Sequence, residues 1–168
     1  MFKMKENLYT ENGKSNPFAI CEHTFKWITD NVPANSTIVE LGSGTGTVEL
    51  CKHFKVFSVE NNKQWVDYVK ESNYIHAPLK DYGDHKWFDE DSIKENLPDD
   101  YSFLLIDGPH AHRVGFHKHI HLFKQDISWV FDDTHVEHNL KEAIKCAELL
   151  GRPYETFQGV VKKFTVIK

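Results

Sequence analysis

The sequence predicts an α/β fold built on a doubly wound, mostly parallel sheet with helices on both faces. Three observations predict it. Short apolar runs alternate with longer amphipathic ones, the runs end in polar residues, and near the C-terminus two runs crowd together. Parallel neighbours need long right-handed crossovers, so the alternation implies an open sheet with crossover helices, and the crowded tail implies a hairpin.

The elements follow in order. A helix candidate, PFAICEHTFKWITDNV (17–32), precedes the first strand, STIVEL (36–41). KVFSVE (55–60), NYIHA (73–77), YSFLLID (101–107) and ISWVFDD (127–133) repeat its character: β-branched or aromatic, closed by polar residues, as strands buried on both faces are. NKQWVDYVKES (62–72) is expected to form the helix after the second strand. HVEHNLKEAIKCAELLG (135–151) is expected to form the one after the fifth, with Gly151 as its stop. Residues 80–100 read as a helix flanked by loops. In the tail, YETF and VVKKFTVIK are joined by QG, so the last strand inserts antiparallel and completes a seven-stranded, Rossmann-like sheet.

Composition sets the limits. With 168 residues, 40% of them hydrophobic and 27% charged, the chain suits one domain over 1–168 and leaves nothing for a second. A net charge of −5 argues against nucleic acid as the main partner, since phosphate binding wants a basic surface. The polar N-terminus carries no apolar leader and no run approaches a membrane span, so a soluble cytoplasmic protein is expected. Cys21, Cys51 and Cys146 are odd in number and widely spaced, which suits reduced core thiols.

In a sheet of this kind ligands bind beyond the carboxyl ends of the strands. Gly42, Gly44 and Gly46 follow the first strand in VELGSGTG, baring backbone N–H groups at the start of the next helix. Glu60 closes the second strand 18 positions after Gly42, where an acid accepts hydrogen bonds from ribose hydroxyls. Together they propose a nucleoside cofactor. A dinucleotide turn would want glycine at 47, which is Thr47, so a nicotinamide oxidoreductase is disfavoured; the acid Glu40 at the edge of the strand suits a cationic ligand.

VELGSGTG with VFSVE resembles motifs I and II of the class I S-adenosylmethionine-dependent methyltransferases, whose seven-stranded sheet ends in a similar hairpin. The resemblance implies that Glu40 and the backbone at Gly42, Ser43, Gly44 and Gly46 face the methionine part and that Glu60 holds the ribose. It places Asn61 and Leu79 at the rim of the adenine pocket.

Asp107 closes the fourth strand and Asp132 and Asp133 close the fifth. Neighbouring strand ends lie roughly 5 Å apart, so the three carboxylates should converge beside the cofactor. Converging carboxylates repel, and a hard cation such as Mg²⁺ relieves them. The alternative is that Asp107 orients methyl donor or acceptor, Asp132 caps the next helix and Asp133 is solvated. The acid pattern resembles the metal-dependent O-methyltransferases. The D-x-x-H spacing of Asp107 and His110 is similar to that of the macrocin and mycinamicin type of sugar enzyme, and catechol O-methyltransferase is a more distant likeness. That resemblance gives Asp107, Asp132 and Asp133 the metal and His110 the part of general base. Those sugar enzymes are longer and carry N-terminal structure that shapes the acceptor site. Here only the extension 1–16 stands in that place.

A sulfonium methyl is already electrophilic, so the enzyme must align an oxygen behind it and ease its deprotonation. A divalent ion holding a diol would do both, with His110 taking the proton. The expected activity is therefore Mg²⁺-dependent O-methylation of a diol on a sugar, glycan or catechol-like small molecule. The alternatives are a metal-independent N- or O-methyltransferase and a non-catalytic cofactor-binding subunit that borrows a cap from a partner or a second copy. Five of the 11 histidines fall in 110–121, and a helix there would put His117 and His121 at i and i+4; a polar helix face is favoured over a zinc site. Arg113 and Lys118 could attract an anionic acceptor. Trp65 and Trp129 are read as core; Trp87 is the better aromatic candidate for the acceptor rim, with packing favoured over that role.

Overall fold

The structure, a computed structural model, describes residues 7–10, 16, 19–159 and 161–168. In chain order the elements are α1 (Glu22–Asn31), β1 (Thr37–Leu41), α2 (Gly46–Cys51), β2 (Lys55–Glu60), β3 (Asn73–His76), β4 (Leu79–Asp81), β5 (Lys86–Phe88), α3 (Glu90–Asn96), β6 (Phe103–Ile106), β7 (Ser128–Phe131), α4 (Glu137–Leu150), β8 (Tyr154–Gln158) and β9 (Lys163–Ile167). Seven strands form one sheet in the order β3-β2-β1-β6-β7-β9-β8. The first five are parallel, and β9 runs antiparallel between β7 and β8, as the crowded tail predicts.

Strand alternation builds two cores. Val39, Leu41, Val59, Leu104, Ile106, Trp129 and Phe131 pack on one face with Ile93 of α3 and Ala143, Cys146 and Ala147 of α4. Ile38, Val56, Phe103, Leu105, Val130, Phe164 and Val166 pack on the other with Phe25 and Ile28 of α1 and Leu50 of α2. Covered on both faces, the central strands can be apolar almost throughout, which is why their sequences show runs and no clean alternation. α4 ends where Gly151 takes a left-handed φ of 62° and its N–H turns back to the carbonyls of Ala147 and Glu148.

Three expectations are corrected. Residues 62–72 form linked turns and no α-helix: Trp65 and Val66 close on Asn62, Asp67 has φ 61°, and a left-handed residue cannot continue a right-handed helix. The segment 80–100 does hold a helix, α3, but the antiparallel pair β4–β5 comes before it. Around 117–121 the chain makes two short 3₁₀ turns, Phe116–Lys118 and Ile120–Leu122, so His117 and His121 do not share an α-helical face. The helix expected at 17–32 is observed as Glu22–Asn31, with 17 and 18 outside the described residues. Among the described residues no helix is long and apolar enough to cross a membrane.

Register positions the site. Val59, Leu41, Ile106 and Phe131 stand side by side across β2, β1, β6 and β7. The next residue on each strand is Glu60, Gly42, Asp107 and Asp132, so the four residues that matter most in the sequence reading form one row along the carboxyl edge.

Candidate functional site

A cleft of about 690 Å³ opens above that row. The turn Gly42–Thr45, Glu60 to Asn62, Trp65, Leu79, the loop 107–113 and Asp133 line it, with Asn16 on the N-terminal side. Its size lies in the range of small-molecule sites, and it sits where the chain leaves β1 and β6 in opposite directions.

The glycines serve different ends. Gly42 has φ 88°, and a Cβ there would meet the backbone of Gly108 at 2.9 Å, so the β1 and β6 loops cross in contact. A Cβ on Gly46 would strike Ile20 at 2.8 Å. Gly46 is thus bare for packing against the segment before α1; it is buried and does not line the cleft, unlike Gly42, Ser43 and Gly44. Ser43 turns its hydroxyl to Tyr74 at 2.8 Å and gives its backbone N–H to Glu60 Oε2 at 2.9 Å. Glu60 Oε1 accepts the N–H of Asn62 at 2.7 Å. Both carboxylate oxygens are therefore aimed by backbone while the group still faces the cleft.

Glu40 departs from expectation. One residue earlier on β1, it points to the opposite face from Leu41, lies 2% exposed, and does not line the cleft. Thr47 and Ser58 donate to its Oε1 at 2.7 and 2.6 Å. Burial pushes its carboxyl up to about 7 against those hydrogen bonds, and the nearby Glu60 charge pushes the same way. It is a buttress under the glycine turn. Asn61 and Leu79 do line the cleft. Of the aromatics only Trp65 departs from expectation, standing in the cleft wall; Trp87, fully buried and stacked on His119, packs as favoured, and Trp129 is core.

The three carboxylates converge as predicted, each offering an oxygen within 4.8 Å of the others. Asp107 and Asp133 face the cleft, while Asp132 is buried behind them and accepts the Thr24 hydroxyl of α1 at 2.7 Å. Asp132 does not cap α4, whose N-cap position is Val136. Asp133 sits at φ 56° and Ala111 at φ 61°, left-handed conformations that cost ~1–3 kcal/mol each and mark the cleft as strained.

Two cations already occupy the acid group. Arg113 Nη2 reaches Asp107 Oδ1 at 2.8 Å and Asp133 Oδ2 at 3.4 Å, and its Nη1 donates to the Asp132 carbonyl at 3.0 Å. Lys162, from the β8–β9 turn, lies 2.8 Å from Asp133 Oδ1. Burial raises Asp107, and Arg113 lowers it less than burial and its acidic neighbours lift it. Burial and then the Asp133 charge raise Asp132. Burial alone would raise Asp133 too, but Lys162 and Arg113 hold it below the usual carboxylate range. A divalent ion draws oxygens to about 2.0–2.1 Å for Mg²⁺ and does not share them readily with a guanidinium and an ammonium at hydrogen-bond range. One feature does suit a cation: Asp132 Oδ2 and Asp133 Oδ1 are buried without a hydrogen-bond partner among the described residues, although the Lys162 ammonium stands against the latter. With Arg113 on both cleft-facing acids and Lys162 on Asp133, the group as arranged does not fit Mg²⁺.

His110 lines the cleft, is exposed, and makes no hydrogen bond among the described residues. His112 joins it there. His117 does not: it donates its backbone N–H to Glu142 at 2.7 Å and sets its Nδ1 on the same oxygen. Lys118 pairs with Asp84 away from the cleft lining, whereas Arg113 lines the cleft and is ion-paired with Asp107 and Asp133. Of the extension 1–16, only 7–10 and 16 are described. Thr45 donates its hydroxyl to the Asn7 carbonyl and accepts from the Asn16 amide, both at 3.1 Å, which ties the extension to the glycine turn.

Strand order, parallel core and inserted β9 together decide the fold, and solved structures share it. The fold is that of the class I methyltransferases. A Staphylococcus aureus chain assigned as a caffeoyl-CoA O-methyltransferase superposes with TM-score 0.62 at 14% identity, over 89% of this chain and 84% of that one. The SAH-bound Podospora anserina methyltransferase PaMTH1 gives 0.57 at 13%, over 87% and 76%. MycE of the mycinamycin biosynthetic pathway, in complex with Mg and SAH, gives 0.50 at 16%, over 85% of this chain and 44% of its own. No protein-family model and no curated protein matches the sequence. The class I methyltransferase fold serves chemically unlike acceptors, since a ribosomal protein L11 methylase of Lactobacillus delbrueckii shares it too.

Proposed function

We propose that this chain is an S-adenosylmethionine-dependent methyltransferase that methylates a hydroxyl of a small polar acceptor, on a sugar or glycan, or on a catechol. The observation that carries the reading is Glu60: at the end of β2, beside the glycine turn, with each oxygen aimed by one backbone N–H and its face open to the cleft. That is the arrangement a ribose diol requires. The neighbours solved with SAH support the same cofactor.

Bound there, S-adenosylmethionine supplies an electrophilic methyl on a sulfonium. Gly44 and the bared turn approach its amino-acid part, and Trp65 and Leu79 give the adenine an apolar wall. Asp107, at the centre of the row, lies between cofactor and acceptor. The acceptor hydroxyl enters beside His110, whose ring nitrogens are free to take its proton as the new C–O bond forms. Mg²⁺-dependent transfer is the second reading, favoured by the convergence of three acids, by the unpartnered Asp132 Oδ2 and by the magnesium in the MycE complex. Arg113 and Lys162 weigh against it.

The test is transfer of labelled methyl from S-adenosylmethionine to a panel of sugars, glycans and catechols. For the acceptor that turns over, His110→Ala should lower kcat by a factor on the order of 10² to 10⁴, the usual worth of a general base, with SAH affinity unchanged. An unchanged kcat removes His110 from the chemistry.

A further inference from the structure

We infer that Arg113 and Lys162 are built-in counter-ions that stand in for a divalent cation, so that the acid group Asp107, Asp132 and Asp133 works without a metal. The bearing of this on methyl transfer rests on the function proposed above; the charge arrangement itself does not. Two fixed cations against three carboxylates leave little negative charge for an ion to answer. The cations are also hard to displace. Arg113 is anchored by the Asp132 carbonyl as well as by the acids. The loop that follows it is bolted to α4, because Glu142 accepts the N–H groups of Gly115 at 3.1 Å and His117 at 2.7 Å. Lys162 is buried, with its ammonium 2.8 Å from Asp133 and 4.6 Å from the centre of the Tyr9 ring. Removing one partner from a buried pair leaves the other charge uncompensated, so an arriving ion would have to expel both cations or face them at close range. Lys162 reaches Asp133 from a turn some thirty residues further on in the chain, which makes the group a bridge between the β6 and β7 loops and the C-terminal hairpin.

Direct metal binding tests this without relying on turnover. Mn²⁺ is titrated into the full chain in its wild-type form and as the double variant Arg113→Met, Lys162→Met, with free ion followed by electron paramagnetic resonance. The wild type should leave Mn²⁺ free, and the double variant, its carboxylates exposed, should bind it saturably and melt higher in its presence. Saturable binding by the wild type that is lost in Asp133→Asn overturns the inference. So does a folded double variant that ignores the ion, since the two cations would then not be what excludes it. If the double variant does not fold, Lys162→Met replaces it, and the wild-type titration decides on its own terms. SAH binding is measured in parallel in EDTA: its loss strikes the proposed function, and the Mn²⁺ readout stands either way.

Discussion

At the scale of single residues, Glu40 is where chemistry and stability diverge. Its carboxyl is raised from an ordinary 4.5 to about 7, so the folded chain binds a proton there that the unfolded chain has released. A raised acid stabilises below its unfolded value and loses that contribution as pH climbs through the folded one. The glycine turn should therefore lose support between about pH 4.5 and 7. Glu40→Gln, which keeps an acceptor for Thr47 and Ser58 and cannot ionise, should match the wild type at pH 4.5. At pH 8 it should be more stable by an amount on the order of 1–3 kcal/mol. Denaturant unfolding across that range checks it, and parallel curves would show that Glu40 is not the source. The resemblance placed Glu40 at the methionine part; in the structure it stands two residues before the turn opens, buried, with Thr47 and Ser58 donating to its carboxylate. Asp107, Asp133 and Glu60 were legible because position at a strand end fixes exposure to the cleft, whereas Asn61 and Leu79 came from the resemblance alone. Arg113 as a partner of the acids was not, since six residues of irregular loop carry no periodicity. Lys162 had no local signal at all: only the insertion of β9 brings it to Asp133.

At the scale of elements, the β4–β5 hairpin is held to the 3₁₀ segment by a pair of imidazoles. His85 Nε2 lies 2.7 Å from His119 Nε2, His119 sets its Nδ1 on Glu90 and stacks on Trp87, and His85 sets its Nδ1 on Asp84. Burial lowers His119 below its ordinary range, against the raising effect of Glu90. A lowered histidine contributes stability above its unfolded value, near 6.5, and loses it as pH falls through the folded one. The hairpin should thus loosen on acidification from pH 7 to 5, with amide exchange rising in 79–88 and 116–122 more than in β1 or β6. Equal change everywhere would count against a local latch. The hairpin escaped the sequence reading because three-residue strands leave almost no alternation to see; in the structure its turn runs through Gly83 at φ 94°. The absent helix at 62–72 failed the other way. Its apolar spacing is helical, but Trp65 is drawn to the cleft and Asp67 adopts a left-handed backbone, so tertiary context overrode the local pattern.

At the scale of the whole molecule, the parallel core and the inserted last strand were readable because each follows from a rule about connections: long crossovers for parallel neighbours, a tight link for a hairpin. The acceptor was not readable, because the fold is shared by enzymes of unlike acceptors and the cleft wall that would select one is built from loops. What the row of strand ends supports, in the function proposed above, is a nucleoside held by Glu60 beside the glycine turn. The measurement that tests this most directly is calorimetric titration of the chain with SAH in EDTA, alongside Glu60→Ala. The account predicts saturable one-to-one binding by the wild type and at least a tenfold weaker affinity in the variant, about 1.4 kcal/mol or more. A wild type that binds SAH neither in EDTA nor with Mg²⁺ present would contradict it.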